Sequence, residues 1–214
     1  QFIVVARTEG KHGDEQGISL FIVNRAQPGF SVTRRMMVDS RNMAEVELQD
    51  VVVPAEDLLG ELHGGYGLLT NILDRGNIAL SAEMLGSLRA AFDRTLDYLK
   101  QREQFGELIG TFQALQHRAA RMFCEIELAK SVVLNALQAI DEDADNLSLL
   151  ASLAKVQIAE TSRLVSDEAI QMFGGIGMTD EEEIGFYLKR ARVAQQLLGD
   201  EHYHVQRYAN LRGY

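Results

Sequence analysis

The stretch from residue 113 to residue 140 restricts the fold most, because its apolar residues are spaced alternately by four and by three positions. This spacing puts all of them on one side of an α-helix. The members of this stripe are Leu115, Ala119, Met122, Ile126, Ala129, Val133, Ala136 and Ile140. A long helix with one continuous apolar side requires other helices to cover it, so the stripe predicts a helical bundle.

Three further helical segments complete the predicted bundle. One runs from about Tyr66 to Arg102, a second follows Asn146, and a third starts at about Phe186. Asn146 is suited to cap its helix, which carries a second apolar stripe made of Ala154, Ile158, Val165, Ala169 and Met172. Since the joints are short, we predict an antiparallel four-helix bundle over residues 61–214.

The first 60 residues have a different periodicity. Strand-like runs occupy residues 2–7, 18–23, the stretch from Phe30 and residues 44–54, and the last alternates apolar with acidic or amide side chains. That alternation predicts one buried and one solvated face. So few strands bury too little surface for an independent core, so we expect residues 1–60 to be part of an antiparallel β domain. The predicted fold class is α+β, and the absence of an initial Met suggests a fragment or a processed chain.

Composition excludes several classes of partner. The formal net charge is −10 and no run of Lys and Arg exceeds two residues, which argues against nucleic acid and anionic membrane surfaces. No apolar run approaches the roughly 20 residues of a membrane span. The single cysteine, Cys124, falls in the helical stretch at 113–140, where we expect a buried structural thiol and a cytoplasmic protein.

Three spans together carry a family resemblance: "VVVPAEDLLGELHGGYG" at 51–67, "REQFGELIGTFQALQ" at 102–116 and "AIQMFGGIGMTDE" at 169–181. They resemble the acyl-CoA dehydrogenases, which have an N-terminal helical domain, a middle β domain and a C-terminal four-helix bundle. The resemblance implies that this chain holds the end of the β domain and the bundle, without the N-terminal helical domain. It also implies an acyl-CoA substrate, FAD as cofactor, electron-transfer flavoprotein as a partner and a place in fatty acid metabolism.

The resemblance further implies an FAD site shared between two homologous subunits of a homo- or heterotetramer. Arg102 offers a permanently charged fork suited to a diphosphate, and Phe105 would lie near the flavin or the adenine. A purely structural role, in which Arg102 pairs with an acid and Phe105 fills a joint, is the alternative. The implied cofactor contacts are Arg102, Gln104, Phe105, Phe112, Gln113, Gln171, Gly174, Gly175 and Gly199.

The family's catalytic base is missing from both of its usual positions. Family members remove the α proton with a glutamate just before a Gly-Thr near the C-terminus, or with one on the first bundle helix before an arginine. These positions fall on Leu198 and Gly76, and that arginine falls on Asn77. Leu198, Asp74 and Arg75 are the implied substrate contacts, and Asp74 becomes a candidate base only if the register shifts by one residue.

Three functions remain open at this point. The leading hypothesis is a subunit without its own base that completes the FAD site of a partner chain. The second is a homo-oligomeric dehydrogenase whose base has moved to Asp200 or Glu201. The third is a non-catalytic scaffold that binds CoA esters or partner chains. We expect no metal site, because His202 and His204 point about 200° apart on a helix, and we expect His204 to serve only in a surface ion pair or as a dipole complement.

Overall fold

A computed structural model describes all residues from Gln1 to Tyr214. The chain divides into two compact units, residues 1–73 and residues 74–214. The α+β class predicted from the two periodicities is confirmed, whereas the boundary after residue 60 stays a prediction.

The first unit contains two small antiparallel sheets. Strand β1 (Phe2–Arg7) pairs with β2 (Ile18–Val23), which also pairs with the short β5 (Leu58–Leu59). Strand β3 (Phe30–Met36) pairs only with β4 (Asn42–Leu48). All four strands predicted from sequence are present, although the last ends at Leu48 and does not continue to Pro54.

Strand β4 differs from the prediction in its burial. Every one of its residues is exposed, including Val46 and Leu48 on the face that was expected to be buried. Two strands alone have no second layer to cover their apolar face. The alternation was therefore a sound indicator of the strand and a wrong indicator of burial within this chain.

The rest of the chain is helical. The helices are α1 (Tyr66–Gln101), α2 (Gln113–Asp141), α3 (Leu147–Phe173), α4 (Ile184–Gln196) and α5 (Glu201–Leu211). A small hairpin of β6 (Glu103–Gln104) and β7 (Glu107–Leu108) joins α1 to α2. The six middle residues of the α2 stripe are buried and its two ends are half-buried, so that prediction is confirmed.

Three local expectations are corrected by the structure. Cys124 is exposed, because it follows the buried Met122 by two residues and so lies on the opposite side of α2. Asn146 occupies the N-cap position of α3, but its side chain makes no capping hydrogen bond. The final helical stretch is two helices, separated by residues 197–200. The bundle consequently has five helices where four were predicted.

Candidate functional site

The candidate site is built around the turn between α4 and α5, residues 197–200. Leu198 has φ 61° and Gly199 has φ 105°, so the helix ends there. A leucine in this left-handed region is strained by about 1–3 kcal/mol, and such a conformation persists only where surrounding contacts impose it. Contacts from α3 and α5 therefore hold this turn.

Lys155 of α3 provides the largest part of those contacts. Its side chain is fully buried, and Nζ donates to the Leu197 carbonyl at 2.6 Å and to the Gly199 carbonyl at 2.7 Å, with Gln195 O at 3.5 Å. Burial lowers the pKa of Lys155 from 10.5 to about 8, while the negative charge of Asp200 acts in the opposite direction. The ammonium group therefore binds both ends of the α4–α5 turn.

His204 of α5 binds the Leu198 carbonyl, which lies between the Leu197 and Gly199 carbonyls that Lys155 binds. Its Nε2 lies 3.1 Å from Leu198 O and its Nδ1 lies 3.3 Å from Ser152 Oγ. Burial lowers the pKa of His204 to about 4, so the ring is neutral near pH 7; the charges of Lys155 and Arg207 act in the same direction, while the hydrogen bond to Leu198 opposes them. Since a carbonyl only accepts, Nε2 carries the proton and Nδ1 accepts from the Ser152 hydroxyl.

An ion pair supports this histidine from behind. Arg207 Nη1 donates to Ser152 Oγ at 3.1 Å and to Asp74 Oδ1 at 2.6 Å, and Nη2 donates to Asp74 Oδ2 at 2.9 Å. The Ser148 hydroxyl also donates to the Asp74 carboxylate, and Asp74 is only 2% exposed. The Asp74 carboxylate is thus occupied inside the bundle. This burial argues against the expected role of Asp74 in contacting substrate or serving as a base.

Leu198 and Gly76, the two positions at which the resemblance predicts a base, lie side by side. A Cβ at Gly76 would be 3.2 Å from Leu198 Cδ1, so the leucine side chain lies directly over the glycine. The amide of Asn77, where the family has an arginine, lies 3.4 Å from Leu198 O. A leucine methyl group and a glycine hydrogen therefore lie where these two positions meet, and neither residue has a side-chain group that accepts a proton.

The other candidate polar residues near the turn have partners of their own. Asp200 Oδ1 accepts from the Tyr203 N–H at 2.8 Å and so caps α5. Glu201 lies 3.5 Å from Arg163, and Arg75 lies 3.0 Å from Asp143. Capping accounts for the conformation of Asp200 without any catalytic role.

Apart from Gly199, the expected cofactor contacts lie away from this turn, after the end of α1, at the start of α2 and at the end of α3. Tyr98 stacks on Phe173 with ring centroids 4.3 Å apart, which brings the hairpin after α1 close to the segment after α3. Most of the expected contacts are exposed, and Phe112 and Gly199 are half-buried. The exposed ones are Arg102, Gln104, Phe105, Gln113, Gln171, Gly174 and Gly175.

This end of the bundle is open as well as exposed. Phe105 is 93% exposed, with its ring centroid 6.2 Å from that of Phe112. A Cβ at Gly174 or Gly175 would meet no atom within 4 Å. An uncovered aromatic ring, a guanidinium and a bare stretch of backbone together suit an anionic dinucleotide, because each supplies a different contact: stacking, charge pairing and close approach.

Sequence reasoning missed the polar residues inside the bundle. Lys155, Ser152 and Arg207 were not singled out, and His204, expected at the surface, is completely buried. One signal was available: Lys155 is the only charged residue between Asn146 and Glu160. An isolated lysine in so apolar a helix requires an internal partner, but its sequence does not reveal that the partner is a set of carbonyls.

Two kinds of feature are absent from the structure. No group of three or more His, Cys, Asp and Glu side chains is arranged to hold a metal ion. None of the helices is both long enough and apolar enough to span a membrane.

Comparison with known proteins identifies the family. Residues 63–210 match the family described as the C-terminal domain of acyl-CoA dehydrogenase. The probable acyl-CoA dehydrogenase YngJ of Bacillus subtilis is 35% identical over 209 residues, covering 96% of this chain and 54% of YngJ. The short-chain specific acyl-CoA dehydrogenase of Megasphaera elsdenii is 32% identical, covering 91% of this chain and 51% of the relative. The chain belongs to the acyl-CoA dehydrogenase family.

Solved structures agree with this assignment. Butyryl-CoA dehydrogenase from Megasphaera elsdenii superimposes with a TM-score of 0.93 at 30% identity, covering 99% of this chain and 56% of that one. A glutaryl-coenzyme A dehydrogenase in complex with glutaryl-CoA gives 0.91 at 26% identity, covering 99% and 54%. The chain therefore spans about half the length of the relatives it matches.

Proposed function

We propose that this chain is part of an FAD-dependent acyl-CoA dehydrogenase and serves as a subunit without its own catalytic base, completing the FAD site of a homologous partner chain. One observation carries the proposal: Leu198 lies over Gly76, so both family positions for the base meet at one point that holds only apolar atoms. A general base requires a group that accepts a proton, and neither residue has one.

The carboxylates around the turn support the same conclusion. Asp74 is bound by Arg207, Asp200 caps α5 and Glu201 lies beside Arg163. Moving any of them to the proton of a bound thioester would break an existing interaction. A partner chain that carries the glutamate supplies the missing group without such a change.

FAD fits the residues at the open end of the bundle. Arg102 would hold the diphosphate, Phe105 and Phe112 would contact a ring, and Gly174 and Gly175 would allow close backbone approach. A solved FAD complex of PigA, 26% identical to this chain, has the same fold with a TM-score of 0.92. When bound, FAD supplies the hydride acceptor for oxidation of the acyl chain.

Electron-transfer flavoprotein is the proposed electron acceptor, and acyl-CoA is the proposed substrate. A structure described as the electron transferring flavoprotein of Acidaminococcus fermentans includes a chain that is 31% identical to this one, with a TM-score of 0.92. The cytoplasmic location inferred from the single cysteine stays a prediction.

The test is turnover of the complete protein with FAD, assayed alone on a panel of acyl-CoAs with an artificial electron acceptor. We expect no turnover above background by the wild type. Leu198→Glu should restore measurable turnover, about 10²-fold or more above that background, since it returns a carboxylate to the family position. Leu197→Glu, on the neighbouring exposed residue, is the matched control and should stay inactive.

Other outcomes separate the alternatives. Ready turnover by the wild type alone contradicts the proposal, and its loss in Asp200→Asn or Glu201→Gln would then identify a relocated base. Absence of bound flavin from the purified assembly would instead favour a non-catalytic scaffold.

A further inference from the structure

The α3–α4 segment, residues 174–183, is anchored at its two ends. Phe173 before it and Ile184 after it are both buried, and they belong to one apolar cluster with Ala91 of α1. Most of the segment between them is exposed, including the paired glycines Gly174 and Gly175 that are expected to approach the cofactor. The exposed middle of such a segment keeps one conformation only where further contacts hold it.

Two side chains of α1 supply such contacts. Tyr98 stacks on Phe173 with ring centroids 4.3 Å apart, at the start of the α3–α4 segment. Arg94, one helical turn earlier, binds the end of the segment: its Nε donates to Glu182 Oε1 at 2.5 Å, and its Nη1 lies 3.3 Å from Glu183 Oε2. The side chain of Glu182 is only 15% exposed, so this pair is better shielded from water than an ordinary surface ion pair.

The same row of side chains on α1 continues to Arg102. Residues four positions apart lie on one side of a helix, and the Arg102 N–H still donates to the Tyr98 carbonyl at 2.9 Å. Arg94, Tyr98 and Arg102 are therefore aligned along α1. One helix thus carries both the arginine expected at the cofactor diphosphate and the two side chains that hold the α3–α4 segment.

We propose that Arg94 is a positioning residue for the cofactor: by binding Glu182 and Glu183 it holds the α3–α4 segment against α1. The paired glycines of the segment then keep a fixed position relative to Arg102, as a dinucleotide that contacts both requires. The inference rests on the proposed function, which supplies FAD as the ligand, and it assigns Arg94 no contact with that ligand. Arg94, Glu182 and Glu183 lie outside the three spans that carry the family resemblance, so the motifs do not assign this role.

Replacement of the acid gives the sharpest test, because two explanations predict opposite signs. Glu182→Met removes a negative charge from the segment that carries the paired glycines, so charge repulsion alone predicts tighter binding of the anionic FAD. The positioning role predicts binding about fivefold weaker, because the segment is released from α1. Titration of the complete protein, freed of flavin, with FAD and detection by flavin fluorescence measures the Kd. Tighter or unchanged binding by Glu182→Met overturns the proposal.

The arginine gives the matched measurement. Arg94→Met should also bind FAD about fivefold more weakly, and Arg94→Lys, which keeps the charge, should recover part of that loss. Because both single variants remove the same contact, the double variant Arg94→Met/Glu182→Met should be no weaker than either one. Additive losses in the double variant would mean that the two residues act separately, which contradicts the proposal.

Arg89→Met is the control for a general loss of an ion pair. Arg89 lies earlier on α1, is similarly exposed and pairs with Glu127 of α2, away from the α3–α4 segment. Both arginines are exposed enough that neither methionine variant should unfold, and their Tm values should be similar. Arg89→Met should bind FAD like the wild type. An equal loss of FAD affinity in Arg89→Met and Arg94→Met overturns the positioning role.

Hydrogen exchange tests the segment without any cofactor. The amides of Thr179 and Phe186 donate to Ile176 O and Glu183 O, so they report opening of the segment and of the first turn of α4. In fragments spanning residues 174–186, Arg94→Met should exchange about fivefold faster than the wild type, whereas Arg89→Met should not differ from it. Unchanged exchange in Arg94→Met shows that the ion pair does not hold the segment and overturns the proposal.

Failure of this inference is distinguishable from failure of the proposed function. If the wild-type protein binds no FAD, the proposed function fails, and the role of Arg94 toward the cofactor fails with it. If the wild type binds FAD and Arg94→Met binds it equally well, only the inference fails.

Discussion

Two parts of the bundle are built in opposite ways. The α4–α5 turn has each of its first three carbonyls bound by a buried side chain. The open segments, residues 102–113 and 171–175, place an exposed arginine, a 93% exposed phenylalanine and two unobstructed glycines at the surface. The first region is complete within one chain, whereas the second has functional groups that its own chain does not use.

The two regions differ in how far the chain's own contacts order them before any ligand binds. The α4–α5 turn is preorganised by α3 and α5, so a ligand that binds there pays little to order it. Arg102, Phe105, Gly174 and Gly175 of the open segments are exposed, so a cofactor or a second chain is free to cover them. This contrast is the reason that substitutions in the two regions should affect stability and flavin retention in different proportions.

The largest effect on stability is expected from the ion pair behind the turn. Arg207→Met leaves the 2% exposed Asp74 carboxylate without its charged partner, which should lower the free energy of unfolding by about 3–5 kcal/mol. Denaturant titration measures this loss. Arg192→Met removes an exposed pair with Asp167 and should cost less than about 1 kcal/mol. Equal losses in the two variants would contradict the contrast between buried and exposed regions.

A somewhat smaller effect is expected at the glycine of the turn. Gly199→Ala places a Cβ 2.6 Å from Tyr203 Cδ1 and 2.9 Å from His204 Nε2, on a residue with φ 105°. We expect a loss of about 2–3 kcal/mol. Gly213→Ala also has positive φ but meets no atom within 4 Å, so it should cost about 1 kcal/mol. Thermal or chemical unfolding of both variants separates steric conflict from backbone strain.

Acidification should weaken the turn through His204. Its pKa falls to about 4 in the folded chain, against about 6.5 when unfolded, so between these values the unfolded chain binds the additional proton. Stability contributed by the neutral ring is present above pH 6.5 and is lost as pH falls toward 4. His204→Gln should show a shallower decline of Tm across this window than the wild type. His202→Gln, at an exposed residue, should keep the wild-type slope.

The smallest effect on stability is expected at the open segments. Phe105→Ala should change the free energy of unfolding by less than about 0.5 kcal/mol, since the ring is almost fully exposed. The same variant should retain roughly tenfold less flavin after gel filtration of the assembly. A tenfold change in affinity corresponds to about 1.4 kcal/mol, which is the contribution of about one aromatic contact. Phe186→Ala, at another exposed ring, should retain flavin normally. Flavin absorbance per protein gives the ratio.

The periodic parts of the chain were predictable because apolar residues recur there at the spacing of a helix or of a strand. The stripe of α2 and the strands β1 to β4 follow from spacing alone, and the structure contains all of them. The break at residues 197–200 was missed because helix-compatible residues flank it on both sides. Only Gly199 indicated a stop, and a single glycine does not distinguish a bend from the end of a helix.

The candidate site was predictable to a smaller extent. The motifs located the open segments and the two positions predicted to lack a base, but no spacing rule relates Gly76 to Leu198 across more than 100 residues of chain. The burial of His204 and the bonds of Lys155 to carbonyls depend on how α3 packs against α5. Long-range packing of this kind leaves no periodic trace in either helix.

The sequence by itself determined the helical and strand periodicities and the family motifs, because these depend on residue type and local spacing. The tertiary structure decided that Leu198 lies against Gly76, that Asp74 is paired with Arg207, and that buried side chains bind the carbonyls of the turn. The physical reason is that a side chain's chemistry depends on its neighbours and its exposure, and packing brings those neighbours from distant parts of the chain.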